Sequence, residues 1–408
     1  MSLQFITGNS GNGKTKYLFN RIVKEAKANP RDNYLVIVPE QFTMQTQRQL
    51  VDLSENKAIM NIDVLSFKRL AYRVFDELGI TNLTVLEETG KNLVLRKLAA
   101  QEADKLGVIG RNLNRIGYIS EVKSLLSELV QYNISPEELG RYIASGRLSD
   151  TLSDKLKDVL VLYEAFEKFM QDKYITAEEI LNVLSNVAEE SAILRNSVIA
   201  FDEFTGFTPI QNQLIKKLFV ISKKIYVTLT IDCREDIFKS RGMQELFDMP
   251  KRTVKSLTEM AAFYGIEVEE PIILDKNYRL AENEELSFME QQLFRKRRCS
   301  FKKAPKHIHI DCLRDPKQEL TKIARRINEL VRNENLRYRD IAIVTGDVNI
   351  YAGYVREIFD KYNIPYFIDA TQEILFHPFI EFIRSIPDIA AQNFSADAVF
   401  RFLRCGFS

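Results

Sequence analysis

The hydrophobic pattern of the first forty residues alternates between strand-like runs and helix-like spacing. LQFITG (3–8) is a short apolar run that ends in glycine, and KTKYLFNRIVKEAKA (14–28) carries apolar positions at helical spacing. NYLVIVPEQ (33–41) contains the run LVIV, which is typical of a strand buried on both faces of a parallel sheet, and its proline ends that strand. The pattern therefore predicts strand, loop, helix and strand, the start of an α/β domain.

Between residues 64 and 192 only helical spacing is found. It occurs in FKRLAYRVFDEL (67–78), GKNLVLRKLAAQEADKL (90–106), ISEVKSLLSELVQY (119–132), LKDVLVLYEAFEKFMQ (156–171) and TAEEILNVLSNV (176–187). Ser135 with Glu138, and Thr176 with Glu179, have the spacing of helix capping boxes. Strand-like runs resume at SVIAFDEF (197–204) and KKIYVTLTID (223–232), so we expect an all-helical insertion within one α/β domain.

The C-terminal part repeats the α/β pattern after a basic segment. FRKRRCSFKKAPKH (294–307) suits a solvated linker. It is followed by HIHIDCL (307–313), a helix over 317–333, the strand DIAIVTG (340–346), a further helix and IPYFID (364–369). We predict three parts: residues 1–63 with 193–293, the helical insertion 64–192, and an α/β unit over 294–408 that is incomplete, as expected for an N-terminal fragment.

Composition limits the kinds of function that remain. The chain has 408 residues with 45% hydrophobic and 28% charged, which is typical of a folded protein of two or three domains. Its 57 basic and 56 acidic residues leave a net charge of +1, so nucleic-acid affinity would have to come from local patches. The sequence has no signal peptide and no membrane-length apolar stretch, and its scattered cysteines and histidines lack metal-ligand or disulfide spacing. A cytoplasmic protein without membrane contact is expected.

One motif points to specific chemistry: residues 8–15, GNSGNGKT, match the phosphate-binding loop G-x-x-x-x-G-K-[ST]. Glycines let successive N–H groups turn toward phosphates, and the following helix adds its positive dipole end. Lys14 would neutralise the β- and γ-phosphates, and Thr15 would offer its hydroxyl to Mg²⁺. The predicted ATP-binding residues are Gly8, Asn9, Ser10, Gly11, Asn12, Gly13, Lys14 and Thr15.

An acidic pair completes the predicted site. Asp202 and Glu203 follow the apolar run VIAF, at what we expect to be the end of a strand neighbouring the phosphate-loop strand. Asp202 would hold Mg²⁺ through water, and Glu203 would orient and deprotonate an attacking water. The alternative is an acidic pair that only stabilises a helix N-terminus.

A third candidate is Arg279 in the tripeptide N-Y-R (277–279). An arginine that reaches the γ-phosphate stabilises the charge that develops in the transition state. The alternative is a surface arginine at the start of a helix.

These three pieces, in this order and with a helical insertion between the first two, resemble the UvrD-like superfamily 1 helicases. Within them the chain is similar to the AddB (RexB) family, the B subunits of bacterial AddAB helicase–nucleases, over essentially its whole length. The segments that carry the resemblance are GNSGNGKT, VIVPEQFTMQTQRQL (36–50), VLSFKRLAYRVF (64–75), FDEFTGFTPIQ (201–211), DIAIVTGDVNIY (340–351), IPYFID and HPF (377–379).

The resemblance implies a fold and a set of partners. The fold would be α/β: a P-loop RecA-like parallel-sheet domain with a large helical insertion, followed by the start of a second RecA-like domain. Gln41 and Thr43 lie where this superfamily contacts single-stranded DNA. The resemblance also implies a hydrolase that forms a heterodimer with the A subunit (AddA/RexA). This heterodimer would act on single-stranded DNA and duplex ends in recombinational repair. The family also has a nuclease domain with a 4Fe–4S cluster, and the cysteine ligands of that cluster are not found in this chain.

Two departures from the superfamily leave alternatives open. Only seven residues of this chain precede the loop, whereas these motors carry their adenine-reading glutamine farther upstream, so the base that would be recognised stays open. After KKIYVTLTID the chain reads CREDIFKSRG instead of the coupling motif G-D-x-x-Q. A motor, a DNA reader that binds ATP without translocating, a structural scaffold with a vestigial loop, and a P-loop kinase or NTPase without a DNA role all remain.

Exposed rings and basic runs are further candidates for contacts with nucleic acid. Phe42, Phe67 and Tyr72 are ring candidates, although helical spacing favours packing in the core for each of them. The run 295–298 carries four consecutive basic residues, for which phosphate contact and plain solvation are both open.

Overall fold

The computed structural model of the protein describes residues 1–81, 84–107, 117–145, 148–170, 174–295, 299–370, 374 and 377–407. They belong to two compact units, Met1–His307 and Ile308–Ser408. The first unit contains the phosphate-loop motif and the helical block, and the second begins after the basic segment.

The strands of the first unit form one main sheet and one small pair. The main sheet contains β1 (Ser2–Gly8), β2 (Tyr34–Ile37), β3 (Ile62–Leu65), β6 (Val198–Phe201), β7 (Lys224–Thr230), β8 (Glu267–Val268) and β9 (Ile272–Leu274). The pair is formed by β4 (Val85–Leu86) and β5 (Ile175–Thr176). The sequence does not predict β4 and β5, because two residues are too short to show a period.

The main sheet is parallel throughout, in the order β3-β2-β6-β7-β1-β8, with β9 also paired to β1. Parallel neighbours need crossover connections, which the intervening helices provide. The strands β2 and β6 are buried at every position, as their uninterrupted apolar runs predict for a sheet covered on both faces. The α/β class is therefore confirmed.

Helices cover both faces of this sheet. Those of the first unit are α1 (Lys14–Ala28), α2 (Thr43–Leu53), α3 (Phe67–Leu78), α4 (Glu88–Gln101), α5 (Tyr118–Gln131), α6 (Pro136–Ala144), α7 (Asp150–Met170), α8 (Ile180–Val187), α9 (Pro209–Ile221), α10 (Asp248–Phe263) and α11 (Glu284–Gln292). Apolar side chains of α1 and α2 pack on one face, together with Ile6 and Val36 of the strands. Those of α3, α8, α9 and α10 pack on the other face, together with Phe5 and Phe201.

The helical block has a separate hydrophobic core, formed by buried side chains of α4, α5, α6 and α7. The Ser135 hydroxyl accepts the N–H of Glu138 at the start of α6. Thr176 and Glu179 form the predicted reciprocal pair, with N···O distances of 2.6 and 3.2 Å. The helix after this second pair begins later than predicted, at Ile180.

The second unit is helical where helices were expected and lacks the expected strand. Its helices are α12 (Pro316–Asn333), α13 (Val348–Lys361), α14 (Pro378–Ala391) and α15 (Ala396–Arg404). The segment 340–346, predicted as a strand, forms no strand, so that prediction is wrong, and neither 307–313 nor 364–369 of the predicted α/β unit forms one. Their apolar pattern reports a local preference, whereas a strand also needs a neighbouring ladder of hydrogen bonds.

None of the described helices combines the length and the apolar composition that crossing a membrane requires.

Candidate nucleotide-binding site

The phosphate-loop motif lies between the end of β1 and the start of α1, at the carboxyl edge of the sheet. Gly11 and Gly13 have φ values of +87° and +79°, in the left-handed region that glycine tolerates best. A Cβ atom on Gly11 would stand 2.8 Å from the side-chain oxygen of Asn277, so a larger residue would also collide there. The motif therefore folds as a tight loop, and the segment that contains Asn277 packs closely against its backbone.

Lys14 is turned back over this loop. Its ammonium donates to the carbonyl oxygens of Gly8 and Asn9, at 3.1 and 3.0 Å. Burial lowers the pKa of Lys14, while the carboxylates of Glu203 and Asp202 act in the opposite direction. The lysine charge is thus held at the centre of the loop, close to the acidic pair.

The segment after β9 covers the loop. The N–H of Tyr278 donates to the carbonyl of Gly11 at 3.0 Å, and the Asn277 side chain donates to the carbonyl of Ser10 at 3.0 Å. Arg279 follows, with an exposed side chain whose positive charge contributes to lowering the pKa of Lys14. The structure therefore places Arg279 beside the loop, and N-Y-R is part of the site's wall.

Asp202 directly follows β6 and is 1% exposed. One of its carboxylate oxygens, Oδ1, accepts hydrogen bonds from Thr228 and, at 3.3 Å, from Thr15. The other, Oδ2, is buried without a hydrogen-bond partner among the described residues. Burial raises the pKa of Asp202, and the hydrogen bond from Thr228 opposes that rise.

Glu203 is the next residue but lies in different surroundings. It is exposed, and its backbone has φ +64°, which is uncommon for a residue with a side chain. Its Oε1 atom stands 3.3 Å from the Thr15 hydroxyl. Thr15 therefore lies within hydrogen-bonding distance of both carboxylates and can donate to one of them at a time.

The expected strand arrangement needs a correction. The acidic pair was predicted on a strand next to the phosphate-loop strand, but β7 lies between β6 and β1. The sequence could not give this order, because the position of a strand depends on pairing between distant segments. The first turn of α1 brings Thr15 to the acidic pair across the end of β7.

The predicted DNA-contact residues lie at the same edge of the sheet, after β2. Gln41 is exposed, whereas Thr43 is 4% exposed and donates its hydroxyl to the carbonyl of Glu40 at 3.0 Å. The Glu40 carboxylate accepts hydrogen bonds from Ser66 and Arg69. These bonds fix the loop 39–43 against the start of α3 and leave Gln41 facing outward.

The remaining candidates divide by exposure. Phe67 is buried, 5.8 Å from the ring of Phe201, and Phe42 is half-buried against the core. Tyr72 is 38% exposed. Of the basic run, Arg295 forms an ion pair with Asp232, and residues 296–298 lie outside the described residues.

The residues present fit a nucleotide-bound Mg²⁺. No cluster of three or more His, Cys, Asp or Glu suited to a metal occurs within the described ranges. Mg²⁺ at phosphates is typically held by one or two protein oxygens together with waters and the phosphates themselves. The Thr15 hydroxyl and the unpartnered Asp202 oxygen are oxygens of that kind.

Two residues at the site were not singled out from the sequence. Thr228 holds Asp202 from β7, and its signal was a polar residue within the buried run KIYVTLT. Tyr278 is 64% exposed, and its ring lies about a van der Waals contact from Gly13, 3.5 Å from the position of an added Cβ. An exposed ring at a phosphate loop is suited to stacking on a base. In the N-Y-R tripeptide, the sequence indicated a role for the arginine alone.

Comparisons with known proteins agree with these features. A family model described as "ADDB, N-terminal" matches residues 5–290. The chain is 38% identical to the B subunit of the ATP-dependent helicase/deoxyribonuclease of Lachnoclostridium phytofermentans, over 100% of this chain and 36% of the relative. It is 33% identical to the proteins of the same name from Clostridium tetani and Clostridium acetobutylicum, again over 100% of this chain and over 36% and 35% of those relatives. The chain thus spans about a third of the length of the curated relatives it matches.

Proposed function

Because the chain belongs to the AddB family, which the match to its N-terminal family model over residues 5–290 shows, we propose that it is the ATP-binding, helicase-like part of a DNA break-processing helicase–nuclease. The relatives are named as B subunits of an ATP-dependent helicase/deoxyribonuclease. The nuclease activity and the 4Fe–4S cluster would belong to regions that this chain does not contain. We further propose that the sheet of the first unit is RecA-like and that the second unit begins a second such domain.

One observation carries the nucleotide part of this proposal. The Thr15 hydroxyl lies 3.3 Å from a carboxylate oxygen of Asp202 and 3.3 Å from one of Glu203, although these residues are far apart in the sequence. A chance match to the loop motif would not bring the loop's hydroxyl to an acidic pair at the end of a buried strand. This proximity supports the proposal that the two predicted halves belong to one nucleotide-binding site.

Each residue then has a role that its surroundings support. The loop from Gly8 to Thr15 would bind the phosphates of ATP, with Lys14 supplying positive charge. Thr15 and Asp202 would hold Mg²⁺, which neutralises phosphate charge when bound. Glu203 is exposed at the edge of the site, where its carboxylate can orient a water molecule and accept its proton.

Arg279 would stabilise negative charge that develops on the phosphates. Its backbone N–H lies 3.4 Å from the carbonyl of Gly11, so its side chain starts at the phosphate loop. This contact supports a role within the site rather than at a distant surface.

DNA binding is proposed at the edge of the sheet after β2. Gln41 is exposed there and can contact a strand directly. Thr43 has its hydroxyl engaged with Glu40, so a contribution from Thr43 would be to shape the loop. The proposed partners are single-stranded DNA, duplex ends and the A subunit, and the proposed process is recombinational repair.

A second candidate, ATP binding without hydrolysis, has an observation of its own. The segment that replaces the coupling motif begins at Cys233. The residue before it, Asp232, is 2% exposed and is held by Arg234, which lies within that segment, and by Arg295. A carboxylate held by two arginines is not free to move when the γ-phosphate of a bound nucleotide is present or lost. This arrangement favours a DNA reader over a motor.

Steady-state ATP turnover by the purified chain, with and without single-stranded DNA, tests the proposal. If the chain hydrolyses ATP, Glu203→Gln is expected to lose turnover and to keep ATP binding. The matched control is Glu190→Gln, which changes an exposed glutamate far along the chain from the motif. ATP binding without turnover in the unaltered chain would select the non-hydrolysing candidate, and turnover unaffected by Glu203→Gln would remove that residue from its role.

A further inference from the structure

Helix α11 lies beside the phosphate loop and has no role in the proposed reaction. Its first turn is capped by Asn283, whose side chain accepts the N–H of Leu286 at 3.0 Å. Two sets of contacts, near its C-terminus and just beyond it, connect it to the loop and to the segment after β7. These contacts involve Glu290, Gln291 and Arg295.

The first contact passes through Asn9, a residue of the loop that is 5% exposed. Its side-chain oxygen accepts the N–H of Cys233 at 2.9 Å, and its side-chain N–H donates to Oε1 of Glu290 at 2.8 Å. Its main-chain oxygen accepts the ammonium of Lys14. Asn9 is therefore held from two sides, by the segment after β7 and by α11, while its backbone supports the loop lysine.

The second contact is an ionic cluster around Asp232. Arg234 binds both carboxylate oxygens, at 2.8 and 2.6 Å, and also donates to the main-chain oxygen of Gln291 at 3.1 Å. Arg295, just beyond α11, approaches the same carboxylate to 2.8 Å. Bidentate arginine–carboxylate pairs fix geometry as well as charge. The cluster therefore anchors the C-terminal end of α11 next to Asn9.

The charge of Glu290 does not favour the binding of a triphosphate. A carboxylate near the loop repels phosphate groups, and its field already reaches Lys14. The favourable contribution of Glu290 to nucleotide binding would therefore be its hydrogen bond to Asn9. Glu290 would thus favour binding by holding Asn9 in position, while its negative charge would weaken the binding of the phosphates.

We propose that Glu290 is a positioning residue for the phosphate loop, acting through Asn9, with α11 held in place by Asp232, Arg234 and Arg295. This inference deepens the proposed function and rests on it, because the loop it positions is the proposed ATP site. Glu290 fixes the Asn9 amide and with it the main-chain groups of the loop that face phosphates.

Two substitutions separate geometry from charge. Glu290→Gln keeps an oxygen that accepts the Asn9 N–H and removes the charge, whereas Glu290→Ala removes both. Glu282→Ala, at an exposed residue before α11, is the control. The measurement is the dissociation constant for MgATP, by titration calorimetry on the full chain. Glu290→Gln is expected to bind as tightly as the unaltered chain or more tightly, and Glu290→Ala about tenfold more weakly, the scale of one charge-assisted hydrogen bond.

Hydrogen–deuterium exchange without nucleotide gives a readout that does not depend on the proposed function. Peptides covering residues 9–14 and 284–292 should exchange faster in Glu290→Ala than in the unaltered chain. Their exchange rates should be unchanged in Glu290→Gln and Glu282→Ala. If the unaltered chain bound no nucleotide, the proposed function would fail, and this exchange experiment would still decide the positioning role.

Three results would overturn the inference. Unchanged ATP affinity and exchange in Glu290→Ala would show that the contact positions nothing. Tighter binding in both variants would show that only charge matters. Equal weakening in both would show that the carboxylate charge itself is needed.

Discussion

Asp202 and Glu203 are adjacent carboxylates in opposite surroundings. Asp202 is buried, with a pKa that burial raises, and it is held by hydroxyl groups of Thr228 and Thr15. Glu203 is exposed, at a backbone conformation that residues with side chains rarely adopt. Such pairs separate roles by environment, a buried group that holds position and an accessible group that exchanges protons with water. The sequence suggested the pair, but only the fold shows how the two differ.

The backbone of Glu203 gives a prediction about stability. A non-glycine residue at φ +64° costs about 1 kcal/mol or more, and glycine does not carry this cost. Both Glu203→Gly and Glu203→Ala remove the carboxylate, but only glycine relieves the backbone. We expect Glu203→Gly to be more stable than Glu203→Ala by about 1 kcal/mol, measured by urea denaturation. Equal stability of the two variants would mean that the conformation is not strained.

Asp232 gives a prediction about pH. Burial alone would raise the pKa of Asp232, but hydrogen bonds and charges from Arg234 and Arg295 outweigh it and hold the pKa at about 2. This value is below the ordinary aspartate pKa of about 4. The folded state therefore gains stability from the ionised group above about pH 4, and loses it as the pH falls toward 2.

The comparison of the unaltered chain with Asp232→Asn isolates this effect from other carboxylates. The unaltered chain should be more stable at pH 7, and the difference in the free energy of unfolding should shrink as the pH is lowered from about 4 toward 2. Urea denaturation at a series of pH values measures it. A difference that stays constant over this range would contradict the assigned ion pairs.

At the scale of elements, local pattern predicted much and long-range pairing little. Helix α1 occupies 14–28 as its apolar spacing indicates, and α3 occupies 67–78. The position of β7 between the phosphate-loop strand and the acidic-pair strand was not predictable, since it depends on which distant segments pair. The same reason explains why apolar runs such as 340–346 are not strands. A hydrophobic period describes one segment, whereas a sheet requires neighbours.

The helical block contains a buried ion pair with a testable energy. Lys91 of α4 is 3% exposed and approaches the Glu178 carboxylate to 2.7 Å. Removing one member of a buried pair leaves an uncompensated charge and costs about 3–5 kcal/mol, whereas replacing both with apolar residues is often neutral. We expect Lys91→Met to destabilise the protein on this scale and the double change Lys91→Met with Glu178→Leu to restore most of the loss.

Denaturation followed by circular dichroism measures these changes. Lys157→Met is the control, because Lys157 forms an exposed pair with Asp154 and should matter by less than about 1 kcal/mol. If Lys91→Met were as mild as Lys157→Met, the pair would not support the block.

At the scale of the whole molecule, the site residues come from segments that are distant in sequence. The loop after β1, the pair after β6 and the N-Y-R segment after β9 meet because the carboxyl ends of parallel strands share one edge of the sheet. The sequence motifs predict that the loop, the acidic pair and Arg279 belong to one site. They do not predict Thr228, the hydrogen bonds of Asn277 and Tyr278 to the loop, or the attachment of α11, which follow from tertiary packing.

The second unit provides different evidence about the proposed helicase–nuclease subunit. Its helices α12 and α13 pack through a small core of their own, which includes Leu320, Ile327 and Phe359. The family model ends at residue 290, whereas the relatives match across the whole chain. The proposal that this unit begins a second RecA-like domain therefore rests on the resemblance found in the sequence and on the helix pattern, and not on strands.

Titration calorimetry with MgATP can decide whether GNSGNGKT (8–15) binds ATP with Mg²⁺, as proposed. The unaltered chain should bind, and Lys14→Ala should bind at least about tenfold more weakly, because a partly buried ammonium at the phosphates is lost. Lys16→Ala, an exposed lysine two residues along the same helix, should bind as the unaltered chain does. Equal affinity of the unaltered chain and Lys14→Ala would rule out residues 8–15 as the ATP-binding loop.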